Sequence, residues 1–321
     1  MNPLSSAPTN LVSISLPYAQ PAVDGQGKRV RLPPWLKVSI PHGETYQGVR
    51  ARSHGLGLHT VCEEARCPNI GECWQGGTAT FMLLGDTCTR GCRFCAIKTH
   101  RNPSPPDPEE PEKIVKAVEA MELDYVVLTT VTRDDLPDQG AQAMARVVFA
   151  LRKARPTMKV EILIPDFRGD TRCLDTVLAA DPHVLAHNLE TVQRTTPLVR
   201  DPRANYRQSM EILAAAAGKS PRLWVKTSLM LGVGETEQEV LDTMAEAHQS
   251  GVSLLTLGQY LSPGPGKLPV TEYVLPQTFA RLEHLGLNMG FRYVASGPLV
   301  RSSYRAGEHF VMGQKAGFAG E

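Results

Sequence analysis

At 321 residues the chain is long enough for one large α/β domain with extensions, and a barrel-like domain of this size needs no second core. Its 34 Lys and Arg against 33 Asp and Glu leave a formal net charge of +1, which argues against a dedicated nucleic-acid binder driven by counterion release. No run approaches the ~20 apolar residues a membrane helix needs, and Met1 to Asn10 lacks the basic-then-apolar order of a secretory signal.

Residues 1–35 are rich in Pro, Ser and Gly without apolar periodicity and read as a flexible lead-in. The first 27 carry no Arg or Lys, a poor match to a basic organellar presequence. Residues 36–75 are irregular, carry Cys62, Cys67 and Cys73 at C-x4-C-x5-C, and look like an arm laid over the main domain and stiffened by a metal group. From 76 to 290, β-rich runs alternate with amphipathic stretches. The strands read as 79–85, 125–131, 159–165, 183–190, 223–232 and 254–261, with helical patterns such as AQAMARVVFALRKA and YRQSMEILAAAA between them. Such repeated units imply parallel strands joined by right-handed crossovers, and six of them predict a three-quarter barrel rather than a closed eight. Working residues then gather at the carboxyl ends of the strands, where Thr130, Asp166, Asn188, Glu190 and Gln259 stand. Residues 291–321 form a tail containing GPLVRSSYRAG, with no clear seventh unit.

Cys88, Cys92 and Cys95, at C-x3-C-x2-C, sit in the loop directly after the first of these strands. Three thiolates hold three corners of a cubane [4Fe–4S] cluster and leave one iron open, so each triplet reads as a cluster with a special fourth corner. Zinc would want four N or S ligands and would need His59 or His100 to complete each triplet. A ferredoxin would use four cysteines per cluster in a much smaller fold. Cys173, the seventh, cannot pair without breaking a triplet and reads as a buried structural thiol. Reduced thiols at metal-ligand spacing point to a reducing compartment, the cytoplasm.

CTRGCRFC at 88–95 resembles the signature of the radical S-adenosylmethionine superfamily. HTVCEEARCPNIGECW at 59–74, TRDDLPDQGA at 132–141, EILIPDF at 161–167, HNLETV at 187–192, VRDPRANYRQSM at 199–210, GQYLSP at 258–263 and ASGPLVRSSY at 295–304 extend the resemblance to lipoyl synthases over about residues 31–307. The resemblance implies an α/β fold, a partial (β/α)6 barrel of the radical S-adenosylmethionine type, with N- and C-terminal extensions over its mouth. It implies that Cys88, Cys92 and Cys95 hold a [4Fe–4S] cluster whose free iron chelates S-adenosylmethionine, and that a 5′-deoxyadenosyl radical formed there removes an unactivated hydrogen. Phe94 would pack near the adenine, and Asn188, Glu190 and Arg203 would contact polar groups from the rim, with Lys226 in a similar place.

Cys62, Cys67, Cys73 and Ser303 would surround an auxiliary [4Fe–4S] cluster that serves as sulfur source, with Ser302 the less favoured neighbour and Arg301 holding the serine loop. Serine is a harder donor than thiolate, so its iron is the easiest to release. The implied reaction inserts sulfur at carbons 6 and 8 of an octanoyl chain on a lysine of a lipoyl carrier domain, consuming two S-adenosylmethionine. The implied partners are 2-oxoacid dehydrogenase E2 subunits, the glycine cleavage H protein, a ferredoxin or flavodoxin as low-potential donor, and an iron–sulfur cluster carrier, with no nucleic acid and no membrane. The chain departs from the family pattern at Gln139, where DGGA is usual, at Thr227–Ser228, where the usual K-S-G becomes Lys226-Thr227-Ser228, and at Lys267, where His is frequent. None of these is an expected cluster ligand. A methylthiotransferase would carry a separate cluster domain and a nucleic-acid module, and an iron–sulfur scaffold would not turn over S-adenosylmethionine.

Overall fold

The computed structural model describes residues 18–307 except 24, 26, 38–47, 49, 50, 52, 53, 65, 66, 68, 71, 72, 74–78 and 122. In chain order the strands are β1 (Ala19–Pro21), β2 (His59–Thr60), β3 (Thr80–Leu83), β4 (Thr87–Cys88), β5 (Lys98–Thr99), β6 (Tyr125–Thr130), β7 (Lys159–Leu163), β8 (Val184–Ala186), β9 (Trp224–Leu231), β10 (Leu254–Gln259), β11 (Glu272–Val274) and β12 (Tyr293–Gly297). The main sheet runs β12-β10-β9-β8-β7-β6-β3-β2, parallel from β3 to β12 and antiparallel only at β2. From β3 to β12 spatial order follows chain order without a reversal, so every crossover packs on the same face and the sheet curls as an open barrel.

The alternation along each strand sorts its side chains. Val126, Leu128, Val160, Ile162, Leu185, Val225, Leu255 and Leu257 face outward into the large core under the helices. The helices Ala141–Ala154 and Tyr206–Ala217 have the bounds the sequence predicts. Each of the six predicted strands is present, trimmed at its ends. The helix Glu237–Gln249 opens on a capping box between Thr236 and Glu239, which satisfies two N–H groups reciprocally.

Two expectations change. The region after 291 adds a seventh parallel strand, β12, reached through the helix Pro276–Met289. Gly286 looks like a helix breaker, but a Cβ there would come within 2.9 Å of Val294 and 3.0 Å of Met244, so its bareness lets the helix lie close on the sheet. Part of the predicted flexible lead-in is also built into the fold. β1 pairs antiparallel with β11, and the Tyr18 hydroxyl donates to Glu235 at 3.0 Å. A three-residue strand whose partner lies some 250 positions away leaves no local periodicity to read. Residues 1–17 lie outside the described residues.

The inward face is polar near its floor. Lys226 Nζ donates to Glu161 at 2.8 Å, the Tyr125 hydroxyl donates to the other Glu161 oxygen at 2.6 Å, and both charged side chains are 2% exposed.

Candidate active site

Cys88 ends β4 at the carboxyl edge of β3, and Cys92 and Cys95 follow in the turn that leads into β5. The loop is wired by its own backbone and by distant side chains. Cys95 N–H donates to Cys92 O, and His100 N–H to Cys88 O. Arg90 N–H points at Cys88 Sγ at 3.4 Å and Asp201 N–H at Cys92 Sγ at 3.3 Å; donors of this kind stabilise thiolates bound to iron. Burial pushes the Cys95 thiol up to about 12 and raises that of Cys92. A buried thiol without a countercharge stays protonated, whereas iron supplies the missing positive charge, so this donor set fits a metal cluster.

Two clamps hold the loop, the first of them buried. Arg90, between Cys88 and Cys92, donates to both Asp134 oxygens at 2.9 Å and to Asp166 at 2.7 Å. Asp201 accepts from Gly91 N–H at 2.8 Å, while Arg203 donates to Asp201 at 2.8 Å and to Thr89 O at 2.7 Å. Beneath them Arg200 donates to Ser209 Oγ, which donates to His187 Nε2, and His187 Nδ1–H donates to Ile164 O; the carbonyl can only accept, which fixes the neutral tautomer. Burial holds that imidazole down at about 4, so it stays neutral. Sequence reasoning marked RDDL and RDPRANY as motifs but gave Arg90, Asp134 and Asp201 no role.

The rim residues divide. Asn188 is close enough to the Glu190 carboxylate to favour its charged form, and its own Oδ1 is buried without a partner. Glu190 stands at φ 69, left-handed for a residue with a Cβ, and bridges β8 to β9 opposite Leu229. Burial raises its pKa, with Arg200 opposing, and its charge is felt at Cys92 and Cys95. Phe94 packs with Val199, Val233, Tyr260 and Leu268 beside the loop. Arg203 is instead committed to Asp201, Asp134 at 3.2 Å and the Thr89 carbonyl, which makes it a support of the cysteine loop. Lys226 lies deeper, paired with Glu161, and Gln259 is spent on the backbone of Leu231, Tyr260, Glu272 and Val274. Thr227 bridges His187 O and Leu189 N with its hydroxyl.

Cys62, Cys67 and Cys73 gather with Ile70 and Met121 in one small apolar cluster. Cys67 N–H donates to Cys62 O and Cys73 N–H to Asn69 O, turns that bring the three side chains together. Burial raises the Cys67 thiol, and Arg301 from the tail opposes that shift. The Asn69 side chain donates to Leu299 O, so the arm touches the segment that carries Ser302 and Ser303. His59 instead faces Glu64 at 3.5 Å, and His100 bonds Asn102. Among the described residues the one group of three His, Cys, Asp or Glu ligand atoms within 4.8 Å of one another is His59, Glu64 and Asp86. Neither cysteine triplet is drawn in that tightly, whereas a tetrahedral zinc would require S–S separations of roughly 3.8 Å from its Zn–S bonds.

Residues 82–247 match the radical SAM superfamily. With a three-cysteine loop at the carboxyl edge of β3 in an open parallel barrel, this defines the chain as a radical S-adenosylmethionine enzyme. Methylornithine synthase shares the fold at a TM-score of 0.55 and 14% identity, over 86% of this chain and 81% of that one. The FeFe-hydrogenase maturase HydG from Carboxydothermus hydrogenoformans does so at 0.53 and 13%, over 74% and 66%. Residues 9–67 match the N-terminal domain of lipoyl synthase of the radical SAM family. The chain is 54% identical over 286 residues to the lipoyl synthase of Anaeromyxobacter sp. (strain Fw109-5), covering 89% of this chain and 97% of that one. It is 52% identical over 292 residues to the mitochondrial lipoyl synthase of Drosophila mojavensis, covering 89% and 80%. The chain belongs to the lipoyl synthase family.

Proposed function

We propose that the protein inserts two sulfur atoms, at carbons 6 and 8, into an octanoyl chain carried on a lysine of a lipoyl carrier domain. One observation carries the reading: the arm with Cys62, Cys67 and Cys73 meets the Ser302–Ser303 tail at Asn69–Leu299, on the rim onto which the Cys88, Cys92 and Cys95 loop also opens. Cys88, Cys92 and Cys95 would hold a [4Fe–4S] cluster and S-adenosylmethionine, and Cys62, Cys67, Cys73 and Ser303 an auxiliary [4Fe–4S] cluster. When bound, these groups supply a carbon-centred radical able to remove hydrogen from an unactivated C–H bond, and the sulfur that replaces it.

The chain's own residues supply position and shelter. Arg90 and Asp201 fix the cysteine loop before ligands arrive, so little reorganisation is needed. Asn188 Oδ1 and the Glu190 carboxylate offer acceptors for the hydroxyl or ammonium donors of S-adenosylmethionine, and Phe94 an apolar wall for its adenine. Loading releases protons from the half-buried Cys67, Cys92 and Cys95 thiols. Arm and tail over the mouth keep water from a reactive radical. The carriers would be 2-oxoacid dehydrogenase E2 subunits and the glycine cleavage H protein, the donor a ferredoxin or flavodoxin, and an iron–sulfur carrier would rebuild the auxiliary cluster. Seven free cysteines support a reducing compartment, which we read as the cytoplasm. Among the described residues no helix is long and apolar enough to cross a membrane.

The test is anaerobic mass spectrometry of an octanoyl-lysyl carrier peptide after incubation with iron-reconstituted protein, S-adenosylmethionine and a low-potential reductant. A peptide carrying two sulfurs, with 5′-deoxyadenosine alongside, is the expected result. 5′-Deoxyadenosine with an unchanged peptide would leave the radical chemistry standing and overturn the substrate.

A further inference from the structure

The short tail after β12 is seated at two levels of the barrel. At the carboxyl rim, Arg301 Nη1 donates to Gln259 O at 3.2 Å and to Val300 O at 2.8 Å. A Cβ at Gly258 would collide with the Val300 carbonyl oxygen, so the tail lies directly on the bare backbone of β10. Five residues later the chain is at the floor. Ala306, 1% exposed, packs with Tyr125, Val127, Val184 and Leu254, inward-facing residues at the amino-terminal ends of β6, β8 and β10. A Cβ at Gly307 would come within 3.1 Å of Tyr125 Cβ and 3.3 Å of its Cγ. The Tyr125 ring is itself tethered by its hydroxyl to the Glu161–Lys226 pair.

Between these seats the chain makes a turn closed by Tyr304 N–H on Arg301 O, with Ser302 and Ser303 at its two corners. The next residue, Arg305, stands at φ 47, a left-handed conformation that persists for a residue with a Cβ only where its surroundings over-determine it. A corner residue's direction depends on both flanks of its turn. The rim contacts fix one flank, and the packing of Ala306 and Gly307 fixes the other.

We infer that Ala306 and Gly307 are positioning residues: a foot seated on the barrel floor that aims Ser303 at the auxiliary cluster. The inference rests on the proposal that Ser303 ligates that cluster. It adds that the serine's place is set from below, by Tyr125, Val184 and Leu254, as well as by Arg301 at the rim. The bareness of Gly307 then serves serine ligation, because a side chain there crowds Tyr125, and the more so the larger it is.

The experiment compares iron-57-reconstituted wild type with Gly307→Leu, Gly307→Ala, Leu254→Ala and Ser303→Ala by Mössbauer spectroscopy, with cleavage of S-adenosylmethionine and sulfur transfer measured in parallel. Gly307→Leu should give the altered auxiliary-cluster spectrum of Ser303→Ala and lose at least tenfold in sulfur transfer, while cleavage stays within twofold of wild type. Gly307→Ala should be intermediate. Leu254→Ala loosens the floor without adding bulk, so it gives the same spectral change in smaller degree and keeps the test readable if Gly307→Leu does not fold. If Ser303→Ala changes the spectrum while Leu254→Ala and a folded Gly307→Leu do not, the foot is refuted and the serine ligand stands. If Ser303→Ala itself leaves the spectrum unchanged, the ligand assignment fails and the inference falls with it. Equal loss of cleavage and transfer in the Gly307 and Leu254 variants would make the tail a support of the whole barrel and overturn a specific role toward Ser303.

Discussion

Gln139, one of the expected departures from the family pattern, occupies a left-handed position, φ 53. Its amide offsets the strain by donating to Phe167 O at 2.8 Å in a buried site. Gln139→Ala keeps the strain and removes one of two donors to that carbonyl, which still accepts from Asp170 N–H, so it should destabilise by about 0.5–1.5 kcal/mol in urea unfolding. Gln139→Gly removes strain and bond together and should lie closer to wild type. The neighbouring Gly140 cannot be replaced on the same terms, because a Cβ there would strike Leu84 and its φ is 85. At the cysteines, Cys92→Ala should abolish both cleavage of S-adenosylmethionine and sulfur transfer, whereas Ser303→Ala should keep cleavage and lose transfer, measured by 5′-deoxyadenosine and product mass. The cysteines were legible because ligand spacing is local. The clamps were not, since Asp134, Asp166 and Asp201 meet the cysteine loop across 44, 76 and 110 positions. Arg203, expected to contact a ligand, donates to Asp201, Asp134 and the Thr89 carbonyl, and the contact with Thr89 spans 114 positions, beyond any local signal.

At the scale of elements, period-2 and period-3.6 patterns located the strands and helices of the barrel because each element buries one face against the same core. The inward face was harder to read, since Lys226 and Glu161 sit mid-strand like solvated residues and only the curl of the sheet buries them against each other. Lys226→Met strands a buried carboxylate and should cost about 3–5 kcal/mol; adding Glu161→Leu should recover most of that, as a double-mutant cycle in urea would measure. β12 escaped prediction because YVASG is short, ends in small residues and follows a helical stretch whose pattern Gly286 weakens, although the helix runs unbroken through it.

For the whole molecule, acid–base behaviour includes one unusual carboxylate. Glu110 accepts from Leu84 N–H at 2.9 Å at the turn leading to the cysteine loop, and burial raises its pKa to about 7. The folded protein therefore holds a proton that the unfolded chain, titrating near 4.5, releases; this favours folding below about pH 4.5 and is lost as pH rises through 7. Glu110→Gln keeps an acceptor and removes the titration, so its melting temperature relative to wild type should rise from pH 5 to pH 8, equivalent to up to about 3 kcal/mol. The clamps described above bear on maturation. Their bonds from Asp134, Asp166 and Asp201 involve no metal, and they join the cysteine loop to three other parts of the chain. Chelation of iron should accordingly leave far-ultraviolet circular dichroism from the barrel unchanged. A loop shaped by the fold before iron arrives turns cluster loss from an unfolding event into a reversible vacancy, so that an enzyme damaged by oxygen can be repaired where it stands.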